Sequence, residues 1–226
     1  MVKGREPQQV AKRAVILSAM AFRSSLEVTS HPRVAEFAQR LLPWLAEVEC
    51  ADELDPFERE ELATPLGQLS ESQMIDVRWA GEGAAFLCWT LRLAGELHET
   101  TPADAQSLPT FNSVLKPDAA GIIASASLRD RVEIEKTCRH FALILSMLRE
   151  SRVGPPATDV IRRMHLREMN RVGLSVTEDD IARASEALSK MTPDDRTRVA
   201  SLYNIRRHVA IWYLSDRPSY FEPVKL

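Results

Sequence analysis

Glu82 is the acidic residue whose position in the sequence is most suggestive of chemistry. It lies three residues after Trp79, within the most hydrophobic helical stretch of the chain. Because an unpaired buried charge is costly, its carboxyl group needs a partner. We expect an arginine in an ion pair between helices, and the candidates are Arg78, Arg129, Arg139, Arg206 and Arg207. The alternative is a buried acid that acts as a general base.

Other polar residues interrupt apolar helical faces later in the chain. Glu133 and His140 lie on one predicted helix, and His208 precedes Trp212 by one helical turn on another. A cation or imidazole beside an aromatic ring is typical of packing, and the same residue types line small-ligand pockets. The candidate polar cluster therefore comprises Arg78, Trp79, Glu82, Glu133, His140, Arg207, His208 and Trp212.

The common catalytic and cofactor motifs are absent from the sequence. It contains no HExxH or ExxH metal motif, no GxxxxGK[ST] phosphate loop and no GxSxG nucleophile motif. Cys50, Cys88 and Cys138 form no CxxC pair, so we expect buried thiols in a reducing compartment. We therefore assign no catalytic residue, no metal and no cofactor.

The hydrophobic pattern predicts an all-α protein. Apolar residues recur every three or four positions, and no stretch alternates in the manner of a strand. We predict about eight helices packed around a central buried helix at residues 74–97. Gly81 and Gly83 inside that helix indicate close approach of a neighbouring helix. The chain is predicted to form one domain over 1–226, with 155–226 as an alternative C-terminal helical subdomain.

Local signals predict several helix starts and one long loop. Residues 55–58, Asp-Pro-Phe-Glu, combine an N-cap, a first-turn proline and a third-position carboxylate, which predicts a short helix ending at Ala63. Thr177 and Thr192 begin similar capping boxes of two later helices. Residues 100–120 are rich in proline and small polar residues, which indicates a linker or a functional loop.

Charge is distributed unevenly along the chain. Residues 1–113 hold 10 basic and 17 acidic side chains, a net charge of −7, whereas residues 114–226 hold 19 and 15, a net charge of +4. The acidic stretch Glu47–Glu61 contains eight carboxylates and one cation, Arg59. We interpret it as a docking surface for a basic protein, or alternatively as a hydrated helix end and loop.

Two helical charge patterns have simpler interpretations. Glu135 and Arg139 are spaced i,i+4 with the acid first, which predicts an ion pair on a solvated face. The arginine stripe Arg162–Arg171, on a helix predicted at Thr158–Arg171, fits either a phosphate-binding face or a solvated helix face.

Three sequence blocks carry a family resemblance. The first is Trp79-x-x-Glu82 followed by Leu87-x-Trp89-x-Leu91 and Leu97. The second is Leu128-Arg129 followed by Glu133-Ile134, and the third is Arg207-His208-x-Ala210-x-Trp212. In this order and spacing they resemble the family called domain of unknown function 4272, a set of mostly bacterial helical proteins. The resemblance extends from about residue 70 to the C-terminus, and it implies an α-helical fold without an agreed activity.

We expect a non-enzymatic, cytoplasmic protein that binds another protein or acts as an adaptor. Its contact surface is the acidic stretch or the loop at 100–120, and a special case is an immunity-type protein that blocks a toxin. The alternative is an enzyme or small-ligand-binding protein of unrecognised class that uses Glu82, Glu133, His140 and His208. Nucleic-acid binding through the arginine stripe is disfavoured by the net charge of −3, and no apolar run is long enough to span a membrane.

Overall fold

The computed structural model describes residues 4–98, 100–151 and 176–215, and the regular structure in these ranges is entirely helical. The prediction of an all-α fold is confirmed. The α-helices are α1 (Pro7–Glu27), α2 (Val34–Glu47), α3 (Pro56–Ala63), α4 (Glu71–Thr90), α5 (Pro109–Asn112), α6 (Asp118–Ala124), α7 (Arg131–Ser151), α8 (Glu178–Ser189) and α9 (Pro193–Leu214). Among the described residues, no helix has the length and apolar character needed to cross a bilayer.

The chain divides into two compact units. The N-terminal unit contains Arg5–Leu97 and Ala103–Leu128, and therefore α1 to α6. The C-terminal unit contains His98–Pro102 and the described part of Arg129–Asp216, and therefore α7 to α9. The boundary predicted at residue 155 lies outside the described residues, as do the helix predicted at Thr158–Arg171 and its arginine stripe. The prediction of one domain, with 155–226 as a subdomain, stays a prediction.

The interior of the N-terminal unit is formed where α1 and α4 pack side by side. Alanine is frequent along both helices, and α4 also contains Gly81 and Gly83, which lets the two backbones approach closely. Both helices are buried over most of their length, so α4 alone is not singled out as the central helix. The predicted end of this helix at Leu97 is wrong: it ends at Thr90, because Arg92 adopts a left-handed backbone with φ of 62°.

A buried arginine joins α1 to the start of α3. Arg13, only 3% exposed, donates from Nη1 to both carboxylate oxygens of Glu58, at 2.6 and 2.7 Å. Its Nη2 donates to the backbone carbonyl of Glu53 at 2.5 Å. Glu58 also accepts the backbone N–H of Asp55 at 3.0 Å, which completes the capping box predicted at residues 55–58. One carboxylate therefore caps α3 and attaches it to α1.

In the C-terminal unit, α7 packs against α8 and α9. Asp180 closes the capping box predicted to begin at Thr177, and it is buried. Arg139 on α7 places Nε 3.2 Å from the Asp180 carboxylate, and the predicted Glu135–Arg139 pair is therefore wrong. Glu135 instead pairs with Arg131 at 2.7 Å. Burial alone raises the pKa of Asp180, but the hydrogen bonds from Thr177 and the nearby arginine charges bring the net shift below the ordinary value.

The three cysteines are buried free thiols, as predicted. Burial raises the pKa of Cys50 to about 12 and that of Cys88 to about 11. Both thiols are therefore protonated at neutral pH, and they lack the thiolate character that a nucleophilic cysteine needs.

Substituting Arg13→Gln should destabilise the protein strongly, because it leaves Glu58 buried without its cation. We expect a loss of about 3–5 kcal/mol in the free energy of unfolding, measured by urea denaturation. The matched control is Arg33→Gln, since Arg33 forms an exposed ion pair with Glu36 at 2.8 Å. Exposed pairs contribute little, so the control should lose far less stability. Equal losses in the free energy of unfolding would show that the buried pair stabilises the protein no more than the exposed pair does.

Candidate functional site

A shallow groove of about 230 Å³ lies on the surface of the N-terminal unit. The end of α1, the first half of α4 and residues 103–111, here called the groove loop, form its walls. Its lining combines polar, charged and apolar side chains, among them Ser24, Val28, Arg78, Asp104, Gln106 and Phe111. The groove thus brings Arg78 from the candidate polar cluster next to the segment that the sequence predicts to be a linker or a functional loop.

Glu82 fixes the beginning of the groove loop. Its side chain is 4% exposed, and its Oε2 accepts the backbone N–H of Ala103 at 2.8 Å. This partner is a backbone amide in a loop, which the sequence analysis did not anticipate. Asp104 follows at once, and its Oδ1 accepts the N–H of Gln106 at 3.0 Å to start a 3₁₀ turn at Ala105–Ser107. Glu82 therefore positions the residues that form one wall of the groove.

Gly81 allows the groove loop to lie directly on α4. A Cβ atom added at Gly81 would lie 3.0 Å from the Cβ of Ala105 and 3.4 Å from the Cβ of Ala21 on α1. The predicted close approach at Gly81 is therefore confirmed. It involves the groove loop in addition to the neighbouring helix.

A buried hydroxyl network fixes the other end of the groove loop. Thr110 on α5 accepts a hydrogen bond from the hydroxyl of Ser18 on α1 at 2.7 Å. The same oxygen lies 3.0 Å from the sulfur of Cys88 on α4. Phe111 makes an edge-on contact with Phe22, with ring centroids 5.6 Å apart. The groove loop is thus held at both ends by partners on α1 and α4.

Arg78 is the charged group that the groove offers to a ligand. It is exposed, and its guanidinium makes no ion pair or hydrogen bond within the described part of the chain. Asp104 and Gln106 face it across the groove with polar side chains, while Val28 is an apolar neighbour that is 72% exposed. Of the residues that the structure describes, no histidine or cysteine lines the groove. The arrangement is suited to binding through hydrogen bonds, charge and apolar contact.

The family model described as Domain of unknown function (DUF4272) matches residues 1–155. The chain belongs to this family. The match includes Glu82, the groove and the first two sequence blocks, whereas the third block at 207–212 lies beyond its end. No curated protein and no solved structure matches the chain.

In this DUF4272 member the candidate polar cluster is divided between the two units. Arg78, Trp79 and Glu82 are on α4, where Trp79 is half-buried. The C-terminal unit contains the other members: Glu133, His140, Arg207, His208 and Trp212. That all eight form one cluster stays a prediction. Within the described ranges, no three His, Cys, Asp or Glu side chains are grouped to hold a metal ion.

The members in the C-terminal unit have different surroundings. Glu133 is 47% exposed and accepts a hydrogen bond from Arg129 at 3.1 Å. His140, two helical turns later on α7, lies with its ring 6.3 Å from that of Tyr203 on α9. Seven residues along a helix correspond to about 10 Å, so Glu133 and His140 are not within hydrogen-bonding reach of each other. Arg207 and Trp212 are buried on α9, and His208 is half-buried.

One buried arginine of this unit was assigned only as a possible partner of Glu82. Arg206 donates from Nη1 to the backbone carbonyl of His98 at 2.8 Å. Its guanidinium carbon also lies 5.4 Å from the ring centre of Phe141 and 5.7 Å from that of Tyr203. These contacts make Arg206 a packing residue of the C-terminal unit.

The sequence predicts a loop at 100–120, and the structure places a 3₁₀ turn, α5 and the beginning of α6 within that range. The other walls of the groove were not predicted. Val28 and Ser24 were not identified, because they lie at the end of α1, outside any recognisable motif. Asp104 and Gln106 form a local signal, an acid that caps a short turn, which is too common to indicate a site.

Substituting Glu82→Ala should release the groove loop, because the N–H of Ala103 loses its acceptor. We expect a loss of about 1–3 kcal/mol in the free energy of unfolding and faster hydrogen exchange at the Ala103 amide, measured by NMR. Glu82→Gln is the matched control, since its side chain keeps an acceptor oxygen and should preserve the protection. An Ala103 amide that stays equally protected in the alanine variant would refute the role of Glu82.

Proposed function

We propose that this DUF4272 member is a non-enzymatic binding protein that holds a short segment of a partner protein in the groove. The observation that supports this most is the anchoring of the groove loop at both ends, by Glu82 at Ala103 and by Ser18 and Cys88 at Thr110. The walls of the groove therefore keep their positions in the absence of a partner. A preorganised site loses less conformational entropy on binding.

The size of the groove favours a peptide segment over a cofactor. Sites for drug-sized ligands have volumes of about 300–1,000 Å³, and this groove is smaller, at about 230 Å³. It is also open to solvent along one side. A volume of this size accommodates one or two side chains of an extended segment.

The side chains of the groove favour a partner that is acidic and apolar. Arg78 offers a guanidinium that has no partner among the described residues, and it matches a carboxylate in a charge-assisted hydrogen bond. Val28 and Phe111 offer apolar contact beside it, and Gln106 offers both a donor and an acceptor. We therefore propose a segment that carries an aspartate or glutamate next to an apolar residue.

A second surface supports the same class of function. Four exposed carboxylates follow one another in the sequence from the end of α2 into α3, and we call them the acidic corner: Glu47, Glu49, Asp52 and Glu60. This corner is smaller than the predicted surface of eight carboxylates, because Asp55, Glu58 and Glu61 are buried and Glu53 is half-buried. Its partner would be basic, and the binding would weaken with added salt.

The other predicted functions have weaker support. The enzyme alternative relies on Glu82 and Glu133, whose carboxyl groups accept hydrogen bonds from Ala103 and Arg129. An adaptor or immunity-type role is compatible with the groove and depends on which partner fills it. We place the function in the cytoplasm, since three buried free thiols fit a reducing compartment.

The test is selection of peptides from a displayed random library against the full-length chain, followed by affinity measurements. We expect acidic, apolar peptides whose affinity falls about tenfold in Arg78→Ala, which corresponds to the loss of one charge-assisted hydrogen bond. Arg40→Ala is the control, because Arg40 is an exposed arginine on α2 that does not line the groove.

Two outcomes would contradict the groove as the binding site. One is equal affinity of the selected peptides for the wild type and Arg78→Ala. The other is selection of basic peptides whose binding disappears at high salt, which would assign the function to the acidic corner.

A further inference from the structure

Glu61 on α3 is a carboxyl group enclosed within the N-terminal unit. It is 0% exposed, and neither of its carboxyl oxygens has a hydrogen-bond partner in the described part of the chain. Its neighbour Glu58, one turn earlier on the same helix, is equally buried but is paired with Arg13. An ionised carboxylate that is buried without partners is strongly disfavoured, so this environment selects the neutral acid.

The charged groups around Glu61 reinforce this selection. From its own helix it faces Glu58 and Glu60, and from α4 it faces Asp76. Burial raises the pKa of Glu61, and the negative charges of these three residues raise it further, to about 8. Burial also raises the pKa of Asp76.

The cation that faces Glu61 from α1 is Arg23, which is already engaged elsewhere. Its Nε donates to the carboxylate of Glu27 at 3.1 Å, and its Nη1 donates to the carbonyl of Thr64 at 2.6 Å. Its Nη2 donates to the carbonyl of Pro65 at 3.1 Å. The charge of Arg23 is thus largely compensated by Glu27, and its hydrogen-bond donors are directed at other acceptors.

We propose that Glu61 is a proton-sensitive lock for the docking of α3 within the N-terminal unit, where α3 packs against α1 and α2. The neutral carboxyl group allows α3 to dock. When the proton leaves to solvent, a negative charge remains inside beside Asp76 and Glu58, and α3 must loosen to hydrate it. This inference is independent of the groove and of its ligand.

The segment that follows α3 would transmit a movement of α3 to the end of α1. Thr64 and Pro65 accept the hydrogen bonds of Arg23, and the N–H of Gly67 donates to the carboxylate of Glu27 at 2.8 Å. These contacts attach the connection between α3 and α4 to the end of α1. Movement of α3 would therefore strain the hydrogen bonds that join the connection between α3 and α4 to the end of α1.

The pH dependence has a defined direction. A glutamate in the unfolded chain has a pKa of about 4.5, whereas Glu61 in the folded protein titrates at about 8. Between these values the folded protein holds one more proton than the unfolded chain. The stability contributed by neutral Glu61 is therefore greatest below the lower value, falls as pH rises, and stops changing above the higher value.

The test is urea denaturation of the full chain from about pH 5 to about pH 9. Relative to Glu61→Gln, the unfolding constant of the wild type should rise with pH, approaching tenfold per unit up to about pH 8. Glu71→Gln is the control, because Glu71 is an exposed glutamate on α4 that is not among the charges facing Glu61, and it should follow the wild-type profile. Parallel profiles for the wild type and Glu61→Gln would overturn the proposal.

A second measurement applies even where Glu61→Gln folds poorly. The ¹³C chemical shift of the Glu61 carboxyl carbon in the wild-type protein reports its protonation directly. We expect a titration midpoint near 8, accompanied by faster hydrogen exchange in α3 above that pH after correction for intrinsic exchange. A carboxyl group that is already ionised at about pH 6 would overturn the proposal.

Discussion

The close packing of α1 against α4 is the constraint on which the rest of the N-terminal unit depends. Two helices in such contact bury polar groups on both sides, and each of these groups must find a partner. Arg13 finds Glu58 and thereby attaches α3, while Glu82 finds the amide of Ala103 and thereby attaches the groove loop. Buried polar side chains therefore position the loops of this unit through hydrogen bonds made from the core.

This arrangement connects the core directly to the proposed binding site. Arg78 and Glu82 lie four residues apart on α4, which places them on neighbouring turns of one helix. Glu82 is buried and holds the groove loop, whereas Arg78 is exposed and carries the charge of the groove. A single helix thus supplies both the support of the site and its principal ligand-binding group, and Gly81 between them provides the space that the loop needs.

Local patterns predicted the features whose causes are local. The all-α fold follows from the three-to-four periodicity, and the helix starts at Asp55, Thr177 and Thr192 follow from capping boxes within four residues. The end of α4 was missed, because apolar residues continue the helical period past Arg92, while the backbone there turns left-handed.

Features that depend on distant contacts were not predictable in the same way. The partner of Arg139 was missed because Asp180 is far away in sequence and close in space. Glu61 was assigned to an acidic surface, since the sequence does not distinguish a buried carboxyl in a run of acids from a hydrated one. One partner of Glu82 is the backbone amide of Ala103, which no side-chain pattern reveals.

Glu82 does not line the groove, but by holding the groove loop it makes the groove able to bind. Calorimetry of one selected peptide with the wild type, Glu82→Ala and Glu82→Gln measures this dependence. We expect the alanine variant to stay folded but to bind the peptide several-fold more weakly, while the glutamine variant binds nearly as the wild type does. Equal affinity for all three proteins would show that the groove loop needs no support from Glu82.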